Sequence, residues 1–214
     1  MGPIDFLVQN MMIPFLTFSY EKIYPNYGLA ILLLTGFVKI AFYPLTRKQF
    51  EQMKVNQQIQ PLIKEIQEKY KKQPEKMHKE LMRIWKEHKA NPMKGCLPAL
   101  IQLPFFLAVF YTIQSAAFTE LLEKPGVNPG LFWWSNLTAA DPTYILPIII
   151  GLTTYWSQKY MITDPKQAAI FMFMPVLMFF VCLKMPAGVL LYWAFSSMVS
   201  LIQQAIMMKK AKPA

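Results

Sequence analysis

Residues 27–45 read YGLAILLLTGFVKIAFYPL, a run in which Thr35 and Lys39 interrupt an otherwise apolar and aromatic series. As a helix of 1.5 Å rise per residue it would reach ~28 Å, close to the ~30 Å of a bilayer's hydrocarbon core. Arg47 and Lys48 stop it. This stretch reads as a transmembrane span, and four more follow at about 97–116, 144–162, 168–183 and 189–207. The fourth is short, since 16 residues reach only ~24 Å, and a short span thins the bilayer around it or snorkels its flanks.

Composition agrees. Hydrophobic residues make up 54% of the 214 and charged residues 16%, against about 25% charged in soluble domains; the mean hydropathy is +0.26. Length alone would allow one or two soluble domains. The charge distribution excludes them, because the basic residues crowd into one central stretch between long apolar ones. The 17 prolines are compatible with membrane helices, where neighbouring helices satisfy freed backbone groups.

Orientation follows from the short loops. Between Thr46 and Gly95 stand 13 basic residues and six glutamates, whereas Ala117–Thr143 carries Lys124 against Glu120, Glu123 and Asp141. The positive-inside rule puts the first of these in the cytosol, together with the turn at Thr163–Gln167 and the Lys209, Lys210, Lys212 tail. Five spans then give an outside N-terminus and a cytosolic C-terminus. Only the tiny loop at Lys184 dissents.

Residues 1–26 form a candidate interfacial amphipathic helix over Ile4–Phe18, followed by Tyr20, Tyr24 and Tyr27 at headgroup level. It is too short to span and lacks a basic leading region. In the basic segment, Phe50, Met53, Ile59, Leu62, Ile63, Ile66 and Tyr70 recur at helical spacing, and Gln73-Pro74 restarts a helix faced by Met77, Leu81, Ile84 and Trp85. A cytosolic helical hairpin over 48–91 is expected. It is either a solvated connector whose charges enforce topology, or a docking arm for ribosomal RNA, nascent chain or anionic lipid headgroups. Residues 209–214 are a basic tail.

Catalytic constellations are missing. His78 and His88 both lie in the hairpin, and no predicted span carries Asp, Glu or His. Neither a phosphate-cradling loop nor a metal spacing occurs, and Cys96 and Cys182 read as small buried apolar residues. No enzyme activity and no cofactor is expected. Lys39 stands out, because an ionisable residue at membrane depth is a functional-site candidate by default. Thr35 and Tyr43 share its face, and Gly36 leaves space beside it. Snorkelling along the ~9 Å to Leu45 is the competing explanation. Gln102 and Gln158, in other spans, favour a shared wet cavity, since amides in a bilayer need partners. Met172, Met174, Met178 and Met185 fit either ordinary packing or a compliant apolar surface.

Specific strings narrow the reading. Asn91-Pro92 with Gly95-Cys96 and Pro98, then Ile101-Gln102-Leu103-Pro104, resemble the second-span entry of the YidC family of membrane protein insertases. Asp141-Pro142-Thr143-Tyr144-Ile145-Leu146-Pro147 is similar to its third-span entry. Phe173-Met174-Pro175, Met185-Pro186-Ala187-Gly188 and Leu191-Tyr192-Trp193 are similar to its fourth and fifth spans. The resemblance covers nearly all of the chain from Tyr27 onward. It implies an all-α integral membrane fold, five helices around a hydrophilic groove open to the cytosol and to lipid but closed on the outer face. The family's positive groove residue is an arginine; here Lys39 takes its position, keeping the charge without the five-donor fork. Gln158 and Trp193 fall on other groove positions, and Thr35 and Gln102 are added to them. The family's apolar client slide would fall on the second and fourth spans, at Phe105, Phe106, Met172 and Met178. The expected form is the short one, without a large outer domain.

The function implied is that of an insertase or chaperone passing client transmembrane segments and short translocated tails from cytosol to bilayer without nucleotide. Its partners would be client membrane proteins, the ribosome and nascent chain, membrane lipids and a Sec translocon. A bacterial plasma membrane is the expected home, although thylakoid and mitochondrial relatives share the core. A small anion transporter or channel using Lys39, and a ribosome-tethering protein, are the alternatives; neither accounts for the family strings.

Overall fold

The computed structural model describes residues 2–90, 97–132, 134–161 and 165–209, with side chains for 2, 4–90, 100, 102–132, 134–158 and 173–207. The fold is all-helical. No strand forms among the described residues, and only isolated bridges pair Leu131 with Trp134 and Ala140 with Pro186.

The N-terminal helix is longer than its sequence suggests. α1 (Pro3–Leu7), a π turn (Val8–Met12) and α2 (Ile13–Lys22) run on without a break. Val8, Met12, Leu16 and Ser19 form one buried stripe at helical spacing, while Phe6 and Phe18 stay exposed on the other side. α2 packs on α3 (Tyr27–Ala41), and the π turn on α7 (Leu97–Ile113).

α3 starts at Asn26, whose extended backbone and side-chain Oδ1 cap the helix by accepting from Leu29 N–H at 2.8 Å. Tyr27, Ala30, Ile31, Leu34 and Val38 form its buried face. The apolar run was expected to continue straight to Leu45. Instead the helix stops at Ala41, and α4 (Tyr43–Gln58) leaves at a bend of 62°. Pro44 is the cause: it lacks an N–H, crowds the preceding turn and fits a first helical turn, where it sits in α4.

The expected hairpin has three helices rather than two. Pro61 restarts the chain after Ile59, so that α4 is followed by α5 (Gln60–Lys69), which packs on α6 (Pro74–Glu87). Ile59, Leu81 and Ile84 are buried where the arms meet. The closing Asn91-Pro92 lies outside the described residues, as does Cys96.

After α7, a 56° bend at Ser115 leads into α8 (Ala116–Leu122), in what reads from sequence as a plain loop. Ser115 Oγ caps it by accepting from Phe118 N–H. The core is then completed by α9 (Ile145–Met161), α10 (Pro165–Cys182) and α11 (Ala187–Lys209). α11 is central, packing on α9, α3 and α7, while α10 packs principally on α9. Among the described residues, Ala187–Met207 is by length and composition the one single helix able to cross a membrane, and the bent pairs α3–α4 and α7–α8 also qualify if each is one span. Phe173–Cys182 is a shorter apolar helix.

The segment between α8 and α9 closes one end of this bundle. Asn26 Nδ2 donates to Gly130 O at 2.7 Å, and Ala187 and Gly188 N–H donate to Ala139 O and Leu137 O. Leu137 and Trp134 of this segment are buried. Asp141 fastens the segment to α9: its Oδ1 accepts from the Trp134 indole (2.8 Å), the Thr143 hydroxyl (2.6 Å) and Thr143 N–H (2.8 Å), and its Oδ2 from Leu146 N–H (2.9 Å). Cys182 is a buried free thiol at the end of α10.

Candidate functional site: a polar cavity inside the helical bundle

A cavity of about 310 Å³ lies between the end of α3, the start of α4, and α7, α9 and α11. It sits toward the hairpin and away from the closing segment. Lys39 lines it. Its ammonium donates to Ser200 Oγ at 2.8 Å and lies 3.5 Å from Gln102 Oε1. Gln102 in turn donates through Nε2 to the Tyr192 hydroxyl, and its Oε1 lies 3.5 Å from Ser196 Oγ. Both partners of Lys39 are neutral, and no carboxylate lines the cavity among the described residues.

The polar face of α11 is a ladder, whose Ser196, Ser200 and Gln204 line the cavity together with Ser197. Tyr192, Ser196, Ser200 and Gln204 recur every four residues and therefore share one helix face. The first three join the network around Gln102 and Lys39. Thr153, Thr154, Ser157 and Gln158 supply the facing wall from α9. Sequence reasoning found Lys39, Gln102 and Gln158 but passed over the serine ladder. Its signal was the four-residue period inside a largely apolar stretch, which Ser197 and Gln203 partly blur.

The remaining candidate residues fall in different places. Trp193 lines the cavity and meets Phe106 edge-on, with ring centroids 5.0 Å apart. Thr35 is fully buried, and its hydroxyl donates back to Ile31 O at 2.7 Å, so it serves its own helix and is not among the cavity-lining side chains. Phe105 lines the cavity and packs edge-on against Phe42 at 5.0 Å. Both phenylalanines are thus engaged inward. The outward apolar surface of these helices comes instead from Leu103 and Tyr111 on α7 and from Phe173, Leu177 and Phe180 on α10. Met178 is half-buried. The Met172 side chain lies outside the described residues.

Chemically, the cavity offers one cation, several amides and hydroxyls, and an aromatic and aliphatic rim. Such a lining can pair with polar and anionic groups. Among the described residues no group of three or more His, Cys, Asp or Glu could hold a metal.

Comparison with known proteins agrees with this architecture. The family described as 60Kd inner membrane protein matches residues 18–214. The chain is 36% identical over 210 residues to a membrane protein insertase YidC of Nitratidesulfovibrio vulgaris (strain DP4), covering 95% of this chain and 39% of that protein. It is 40% identical over 186 residues to the YidC insertase of Geotalea daltonii, covering 86% and 34% respectively. A crystal structure of an active YidC insertase with its first transmembrane domain resolved superposes with a TM-score of 0.70 at 27% identity, over 96% of this chain and 46% of that one. The chain therefore spans less than half the length of the relatives it matches. The family is a bacterial inner-membrane one. With the match running from the end of the N-terminal helix to the last residue, the chain belongs to the 60Kd inner membrane protein family, that of the YidC insertases.

Proposed function

We propose that this chain is a membrane protein insertase that lets the polar tail of a client enter the bilayer through the Lys39 cavity. The observation that carries the reading is an ammonium group inside a helical bundle, bonded among the described residues to Ser200 and Gln102 and facing a cavity without a carboxylate among its described walls. Such a charge is costly away from water and is tolerated where it faces a wet cavity or a transient anionic partner.

A client helix has two tasks. Its apolar part gains ~25 cal/mol per Å² on entering lipid. Its flanking polar tail must cross hydrocarbon, which is the barrier. In this reading the tail enters the cavity from the cytosolic, hairpin side, so its polar groups travel only part of the bilayer without solvent. Lys39 attracts acidic tail residues and raises the cost of basic ones. A membrane potential adds ~2.3 kcal/mol per charge per 100 mV. The client leaves along the exposed apolar faces of α7 and α10. No nucleotide takes part.

Five spans, with α3 and α7 each bent at one end, put the N-terminus outside and the C-terminus in the cytosol. The N-terminal helix rests at the outer interface with Phe6 and Phe18 toward lipid. The segment held by Asn26 and Asp141 keeps the outer end shut, which supports a groove open on one side. The basic hairpin and tail serve the ribosome, the nascent chain and anionic lipid, and a Sec translocon is a further partner.

The test is protease protection of a small client with a short acidic tail, added to liposomes containing the purified protein. Protection above empty liposomes, reduced by Lys39→Ala, is the expected result. Protection equal to empty liposomes would sink the proposal, and anion flux sensitive to Lys39→Ala would put a transporter in its place.

A further inference from the structure

Gln204 lies one helical turn beyond Ser200 on the α11 ladder and lines the same cavity. It is 1% exposed, yet neither Nε2 nor Oε1 has a hydrogen-bond partner among the described residues. From α9, Gln158 lines the cavity too, with a buried Oε1 that is equally unpartnered. A buried amide left unpaired is costly, so two such side chains lining one cavity point to an occupant that pairs with them.

The chemistry of a carboxamide restricts the occupant. It presents a donor and an acceptor side by side. An anion would use only donors and a cation only acceptors. A secondary amide uses both, and the main chain of a peptide carries one at nearly every residue.

The spacing adds a register. Four residues of α11 rise ~6 Å. Alternate residues of an extended chain recur every ~6.8 Å, facing the same way. A chain lying along α11 with an acidic side chain at Lys39, beside Ser200, brings the main-chain amide two residues away to Gln204.

We propose that Gln204, with Gln158, forms a main-chain binding subsite, whose carboxamides pair with the peptide groups of an extended client tail whatever its side chains. Lys39 then selects charge, while Gln204 holds backbone. This inference rests on the insertase reading and names what that cavity recognises.

A scan of N-methylated clients tests it. Each synthetic client carries one Glu in its tail and a single N-methyl group, placed at successive positions; protease protection is read in liposomes with native protein or with Gln204→Leu. N-methylation removes one N–H and by itself makes the tail less polar, so it eases passage through hydrocarbon. The subsite predicts the opposite at one place. An N-methyl group two residues from the Glu lowers insertion by native protein about threefold to tenfold, the worth of one hydrogen bond. In Gln204→Leu that dip flattens. A flat profile with native protein means that water alone satisfies these amides, and an unchanged dip in Gln204→Leu means that another group binds the main chain; either result overturns the subsite. The native scan decides by itself if Gln204→Leu fails to fold. Insertion by native protein with no positional dip removes the subsite alone, whereas no insertion of any client above empty liposomes removes the insertase reading and the subsite with it.

Discussion

Lys39 donates a 2.8 Å hydrogen bond to Ser200, a residue 161 positions further along the chain, and so ties α3 to α11 across the cavity. Gln102 completes the connection from α7, 3.5 Å from the same ammonium. A lysine that snorkelled would extend toward the headgroups; this one is turned into the bundle.

The first prediction concerns that charge. Lys39→Glu should lower insertion of acidic-tailed clients about tenfold, since a hydrogen-bonded charged contact is worth ~1.5–3 kcal/mol, and should spare neutral tails. Lys39→Arg should keep the preference for acidic tails, because only a positive charge is needed. Equal insertion of acidic and neutral tails by Lys39→Glu, in the liposome assay, would defeat the electrostatic part.

Two glycines on α3 give opposite expectations. A Cβ built at Gly28 would stand 2.3 Å from Leu131 Cβ, whereas one at Gly36 meets nothing within 4 Å. Gly28→Ala should force the closing segment off the helix, costing ~2 kcal/mol and lowering Tm by ~5 °C. Gly36→Ala should be neutral or stabilising by up to ~1 kcal/mol, since alanine is the better helix former. Thermal unfolding in one detergent compares them directly, and equal Tm values would contradict the packing of Leu131 on α3.

Asn26 does two jobs, capping α3 and holding Gly130. Asn26→Ala should therefore cost more than a lone cap, roughly 2–3 kcal/mol in total. Asn26→Asp keeps the cap acceptor, loses the donor to Gly130 O, and should fall between. Hydrogen exchange over 127–131 reads the second job independently of helix stability, and unchanged exchange in Asn26→Ala would contradict it.

Acid should loosen the same segment. Burial alone would raise the Asp141 carboxyl, but hydrogen bonds from the Thr143 hydroxyl, the Trp134 indole and the Leu146 and Thr143 N–H groups outweigh it and hold the group below its ordinary value. A depressed carboxyl contributes stability that is fully present above its unfolded value, ~3.9, and is lost as pH falls through the lower folded one. Exchange protection of 131–144 should hold from pH 7 to 5 and fall below about pH 4. In Asp141→Asn that acid step should vanish. A step of the same size in the variant would assign it to another group.

Much of this was legible in the sequence because it is local. Lys39 stands out as a basic residue in the middle of an apolar run, and Asn26 and Ser115 are ordinary capping types in front of apolar helices. The breaks were legible in principle. Pro44 and Pro61 mark them, but the apolar pattern continues through both prolines, so hydrophobic periodicity masks the backbone chemistry. The serine ladder was hidden differently. Ser196 and Ser200 are small enough to pass for packing residues in a membrane helix, and only the turn of α11 toward Lys39 gives them a task. Thr35 shares the Lys39 face by spacing alone; its hydroxyl turns back to Ile31, which spacing does not report. Nothing local marks Leu137 or Trp134 as buried, because the contacts that bury them come from α11 and Asp141.

The most direct measurement is where a client tail lies during insertion. A cysteine in the acidic tail would be offered, under mild oxidation, to Ser200→Cys in the cavity wall or to Phe180→Cys on the exposed face of α10, in protein whose Cys96 and Cys182 are replaced by Ser and Ala. The account predicts a disulfide from the tail to position 200, and one to position 180 only when the cysteine sits in the client's apolar segment. Tail cysteines that pair with position 180 and never with position 200 would show that polar residues cross outside the cavity, and would contradict it.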